Sequence, residues 1–148
     1  MGGDLITMSI RNFLIAYPVT AIVFLGLDAI WLSTMADRLY RPALGNMMLE
    51  RFSPAPAIAF YVIYIAGVVA FCVAPSVNGR AWLSALGSGA LLGLVAYATY
   101  DLTNQATLKN WPVQVTMADL CWGTFATAVS AAAACWITAW ISDFIARR

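Results

Sequence analysis

Three aspartates, Asp28, Asp101 and Asp119, stand inside stretches that are otherwise apolar. A carboxylate at the centre of a membrane span costs about 2.5–3.5 kcal/mol, and less near the interface. Residues of this kind transfer protons, hold cations or hydrogen-bond helices together. Other polar and aromatic groups fall at helical spacing from them. Asn104 follows Asp101 by three residues, Trp31 follows Asp28 by three, and Trp122 follows Asp119 by three. Neighbours three and four apart share a helix face. Tyr97 precedes Asp101 by four, and Tyr61 and Tyr64 open another apolar stretch. Asp101 and Asp119 are therefore candidate acid–base groups, with Asp28 as their orienter. Asn104, Tyr97, Tyr61, Tyr64, Trp31 and Trp122 are candidate ligand-binding residues, although Tyr61 and Tyr64 taken alone read as interface anchors. Three neighbouring carboxylates cannot all be charged cheaply without a counter-charge. Either one of them holds a proton or a cation binds among them.

Four apolar stretches must position these groups, near residues 13–35, 55–74, 82–104 and 113–141. Each has about the 20 residues that cross about 30 Å of hydrocarbon. In lipid every backbone polar group is satisfied within its own segment, so the stretches are helices. The expected fold is an all-α membrane protein: a single domain, a four-transmembrane-helix bundle, both termini on the same side. Pro42 and its neighbours are expected to end the first region, and residues 41–51 to form a short interfacial helix. Pro54 and Pro56 suit the first turn of the second span. Residues 75–80 and 109–112 read as turns. Residues 1–10 read as a mobile leader before a first span that is retained, since that span is too long for a signal peptide and no cleavage site follows it.

This threading puts Asp28, Asp101 and Asp119 in the same half of the membrane. Two stripes spaced by four support the placement: Gly89, Gly93, Tyr97 and Asp101 on the third span, and Asp119, Gly123, Thr127 and Ala131 on the fourth. Small residues let helix backbones approach closely, which would bring the carboxylates at the ends of both stripes together.

Composition bounds the rest. The chain has 148 residues, 62% of them hydrophobic and 10% charged. Soluble domains run at about half apolar and about a quarter charged, so lipid is the natural solvent. The net charge of +1 comes without a basic tract, so nucleic-acid binding has no support and no nucleic-acid partner is expected. Histidine is absent, and with it the usual catalytic triad and the commonest transition-metal ligand. Cys72, Cys121 and Cys135 are read as packing residues. The flanking cations tie at four and four: Arg11, Arg80, Arg147 and Arg148 against Arg38, Arg41, Arg51 and Lys109. Orientation is therefore left undecided. Trp31, Tyr40 and Trp111 at one boundary, and Trp82, Trp136 and Trp140 at the other, form an expected aromatic belt. Asp37, Arg38, Arg41, Glu50 and Arg51 read as a solvated face, from which Arg38 or Arg41 could still reach the acidic level or a lipid phosphate.

The blocks Leu27–Leu32, Ala59–Tyr64, Tyr97–Asn104, Ala106–Pro112 and Asp119–Thr124 resemble the bacterial membrane family called domain of unknown function 2177. The resemblance runs from about Ile15 to Ala128. It implies a multi-pass protein of the bacterial inner membrane and no particular activity.

Three functions fit these residues. The first is a site that binds or modifies a lipid or another lipophilic molecule at one interface, with or without a bound cation. The second is a small carrier coupled to protons or cations, of the kind that acts as a homodimer; carrier sites tend to lie at the midplane, which counts against it. The third is an accessory subunit with no site. No sequence signature names a cofactor or a metal, and none decides whether a reaction is catalysed.

Overall fold

The computed structural model describes residues 8–147. Four helices are long and apolar enough to cross a membrane: α1 (Ile10–Met47), α2 (Pro54–Val77), α3 (Trp82–Thr107) and α4 (Val113–Ala146). No strand occurs among the described residues. The leader expectation for residues 1–7 lies outside the described residues. Ser9 and Ile10 correct its remainder, because the Ser9 hydroxyl accepts from the Asn12 N–H at 3.2 Å and caps a helix that begins at Ile10.

Two further expectations are corrected for one shared reason. Pro42 does not end the first region, and residues 41–47 continue α1 instead of forming a separate interfacial helix. Likewise α2 runs through Pro75 to Val77, so the turn is confined to residues 78–80. A proline inside a helix lacks an N–H and crowds the carbonyl four residues back. Here a wide turn precedes each proline. Residues Ala36–Tyr40 and Val69–Val73 are wound with i→i−5 hydrogen bonds, closed by Arg41 N–H to the Ala36 carbonyl and Ala74 N–H to the Val69 carbonyl. The additional residue in the turn accommodates the proline without stopping the helix.

Packing follows the small-residue stripes. The most extensive pairing is α3 on α4, and the buried residues of α3 are Ala85, Gly89, Gly93 and Asp101. A Cβ on Gly93 would lie 2.7 Å from the Thr127 hydroxyl and still closer to the Gly123 carbonyl. A Cβ on Gly123 would fall within the Tyr97 ring. Both positions therefore need glycine for close approach. The far end of the bundle is tied by Arg11, which donates to the Ser142 hydroxyl at 2.8 Å, and by the Arg80–Asp143 ion pair. Arg11 and Ser142 bring the start of α1 to the end of α4.

The molecule is apolar outside, and its core mixes polar groups with small and aliphatic side chains such as Ala85, Ala131, Val68 and Val69. Thr20, Thr116, Thr127, Ser130 and Thr138 are buried with the three aspartates, while Ile22, Ile30, Ile63, Phe71 and Leu91 are exposed. Water would not tolerate such a continuous apolar exterior, and hydrocarbon does. Cys72 and Cys135 are buried packing residues; Cys121 is exposed on the outer surface, which corrects its reading as a packing residue. It lies two residues from both Asp119 and Gly123, on the opposite side of the helix from the buried face they share.

Candidate functional site

The acidic level lies toward the end of the bundle where α3 finishes and α4 begins, and Asp28, at the middle of α1, joins it through its bonds to Tyr61 and Trp122. Asp101 lies six residues before the end of α3, and Asp119 six after the start of α4. At the helical rise that is about 9 Å from each end, well off the bundle's centre.

The three carboxyl groups differ in how many hydrogen bonds they accept. Asp28 is satisfied on both oxygens: the Tyr61 hydroxyl donates to Oδ2, and Trp122 Nε1 donates to Oδ1 at 3.2 Å. One residue of α1 is thereby tied to α2 and α4. Asp119 is satisfied on one oxygen, where Oδ1 accepts from the Tyr40 hydroxyl. Tyr40 in turn accepts from Trp31 Nε1 at 2.8 Å. The Trp31 and Trp122 rings stack with centroids 4.5 Å apart and planes 7° off parallel, joining the two networks. Asp101 is fully buried, and neither of its oxygens has a hydrogen-bond partner among the described residues. Buried polar groups are nearly always paired, so an unpaired carboxyl calls for a reason.

That reason has a place beside it. Asp101 and Asp119 line one cavity of about 360 Å³, together with Phe60, Ala96, Tyr97 and Tyr100. Gly123 seats the Tyr97 ring against α4 and so fixes one wall. Phe60 stacks on Tyr64 and forms another. Phe60 and Tyr100 are 44% and 62% exposed, so the cavity reaches the outer surface of the bundle between α2 and α3. Tyr100 also borders a groove of about 860 Å³ that carries Met47, Met48, Leu49 and Phe52.

The sequence-predicted residues are distributed as follows. Asp101, Asp119 and Tyr97 share the cavity. Asp28, Tyr61, Trp31 and Trp122 form the adjoining hydrogen-bonded and stacked network. Tyr61 and Tyr64 turn inward instead of anchoring at the interface: Tyr64 is buried and shares a 2.8 Å hydrogen bond with Thr127. Asn104 is half-buried, one turn beyond Asp101, and is not among the residues lining the cavity. Arg41 pairs with Asp37 at 3.1 Å on the exposed surface, and neither Arg38 nor Arg41 lines the cavity. No group of three or more histidine, cysteine, aspartate or glutamate side chains is arranged to hold a metal ion among the described residues.

Sequence reasoning missed Tyr40, Phe60, Ala96 and Tyr100. Tyr40 reads as a belt residue in sequence because its separation from Trp31 hides the partnership. Nine residues of regular helix at about 3.6 per turn put Trp31 and Tyr40 on about opposite faces. The wide turn at residues 36–40 re-phases α1 and lets them meet. Ala96 and Tyr100 had a readable signal, since they flank the Tyr97–Asp101 stripe at the same spacing of four.

No curated protein and no solved structure matches the chain. Residues 13–136 match the family model described as predicted membrane protein, domain of unknown function 2177, and the chain belongs to that family.

Proposed function

We propose that this membrane protein binds the polar end of a lipophilic molecule in the cavity between Asp101 and Asp119, within the bacterial inner membrane. The observation that carries the reading is the unpartnered, fully buried Asp101 carboxyl beside an aromatic-walled cavity. A carboxyl whose only task was to tie helices would accept hydrogen bonds, as Asp28 does. At about 360 Å³ the cavity is at the small end of ligand sites, which span about 300–1,000 Å³. Taking about 30 Å³ per water, that is about twelve water volumes, enough for a head group and too little for a whole lipid. The remainder of such a ligand lies outside, along the exposed Phe60 and Tyr100 or in the groove of Met47, Met48, Leu49 and Phe52 that shares Tyr100. The depth agrees, because head groups lie near the interface and the acidic level is well off centre. That depth disfavours a carrier, whose site belongs near the midplane.

The test fills the cavity without touching a carboxyl. Wild type and Ala96→Phe are purified in mild detergent, and organic extracts of each are compared by mass spectrometry. A lipophilic species retained by wild type and depleted in Ala96→Phe is expected. Equal extracts from two folded proteins contradict the reading.

A further inference from the structure

The cavity's chemistry is one-sided. Both of its ionisable acids are aspartates, and no lysine or arginine lines it. Asp101 offers two oxygens with no donor, and Asp119 has only its Oδ1 engaged, by Tyr40. The remaining walls are the rings of Phe60, Tyr97 and Tyr100 and the methyl of Ala96. An anionic head group would meet like charge and no cation to balance it, at a heavy cost in a low-dielectric site. A hard metal cation wants six or more oxygens, and no three-ligand group exists among the described residues. A nitrogen cation meets neither difficulty. Its N–H groups supply the donors that Asp101 lacks, its charge balances the carboxylates, and ring faces attract it further.

Resting on the reading of the cavity as a ligand site, we infer that the group it accepts is an organic ammonium, with the Asp101 carboxylate as its main acceptor and Phe60, Tyr97 and Tyr100 as its aromatic enclosure. An ammonium that carries N–H groups suits the unpartnered oxygens better than a quaternary one, which has charge but no donor. The same chemistry is found on a lipid and on a free amine. The exposed Phe60 and Tyr100 lead an attached alkyl chain to the outer surface and favour the lipid-borne form.

The experiment is a titration followed by native mass spectrometry in maltoside micelles. The probes are dodecylammonium, dodecyltrimethylammonium, dodecanol, dodecyl sulfate and tail-less ethanolamine. Wild type should take up one dodecylammonium, more tightly than the quaternary probe and far more tightly than the alcohol or sulfate. Asp101→Asn should weaken dodecylammonium about tenfold, as expected for loss of a charge-assisted hydrogen bond, and leave dodecanol unchanged. Should that variant fail to fold, Tyr100→Leu on the exposed wall carries the test, with about a threefold loss for both ammonium probes and none for dodecanol. Ethanolamine binding as tightly as dodecylammonium would assign the site to a free amine; weak ethanolamine binding assigns it to a lipid-borne one. Equal affinity for every dodecyl head group overturns the ammonium inference. If Ala96→Phe then weakens all of them alike, the cavity still binds lipophilic molecules; if it weakens none, both readings fall.

Discussion

Asp28 and Asp101 are the same residue type in the same acidic level, and the structure gives them opposite tasks. Asp28 accepts two donors and ties three helices, whereas Asp101 accepts none. Their substitutions should therefore move stability in opposite directions. An asparagine at position 28 presents one amide N–H₂ to donors that need acceptors, so Asp28→Asn should cost about 1–3 kcal/mol. Asp101→Leu removes a buried group with no partner to lose, and should stabilise the ligand-free protein by a similar amount, about 1–3 kcal/mol. Thermal unfolding of both variants in detergent, after stripping of bound lipid, checks the pair. A destabilised Asp101→Leu would make Asp101 helix glue after all. Tyr40→Phe tests the third carboxyl. It removes the donor to Asp119 and the acceptor of Trp31, for an expected loss of about 0.5–2 kcal/mol, the scale of hydrogen bonds between membrane helices. Which aspartates exist, and that they share a level, was legible in the sequence. Their division into two, one and no hydrogen bonds was not. It depends on aromatic donors from other helices, whose reach no spacing rule encodes.

The helices carry the next part of the explanation. The stripes Gly89, Gly93, Tyr97, Asp101 and Asp119, Gly123, Thr127, Ala131 could be read directly, because a spacing of four marks one face of any regular helix. In the structure these faces meet, and the Tyr97 ring occupies the space that a Cβ on Gly123 would need. Gly93→Val should accordingly separate α3 from α4, cost about 1–3 kcal/mol by overpacking, and lose any ligand with it. Disulfide trapping between cysteines placed at Ala90 and Ala128 would report the separation as a fall in cross-linking rate. Unchanged cross-linking and stability in Gly93→Val would show that the stripe is not the contact face. Where the helices are irregular, the sequence misleads. Pro42 and Pro75 look like stops, yet each follows a wide turn that keeps the helix going. The first of these turns swings Tyr40 onto Asp119. The same local irregularity thus hid both an element boundary and a residue of the site.

At the scale of the whole molecule, the apolar exterior places the chain in a membrane, as its family membership does. Composition alone made that legible, since four stretches of sufficient length leave no soluble alternative. The Arg11–Ser142 contact brings the start of α1 to the end of α4. If all four helices cross, cysteines at Ser9 and Arg147 should label from the same side of sealed vesicles with an impermeant thiol reagent, and one at Lys109 from the other. Opposite labelling at positions 9 and 147 would mean an odd number of crossings. The central claim, that the Asp101 cavity is where a ligand sits, is tested most directly by native mass spectrometry of the gently purified protein. Wild type is compared with Asp101→Asn and with the surface control Asp37→Asn, and the same spectra give the oligomeric state. A discrete adduct on wild type and Asp37→Asn that is absent from Asp101→Asn is the predicted result. Identical bare spectra from all three folded proteins would contradict it and leave an accessory membrane subunit whose partner is another protein.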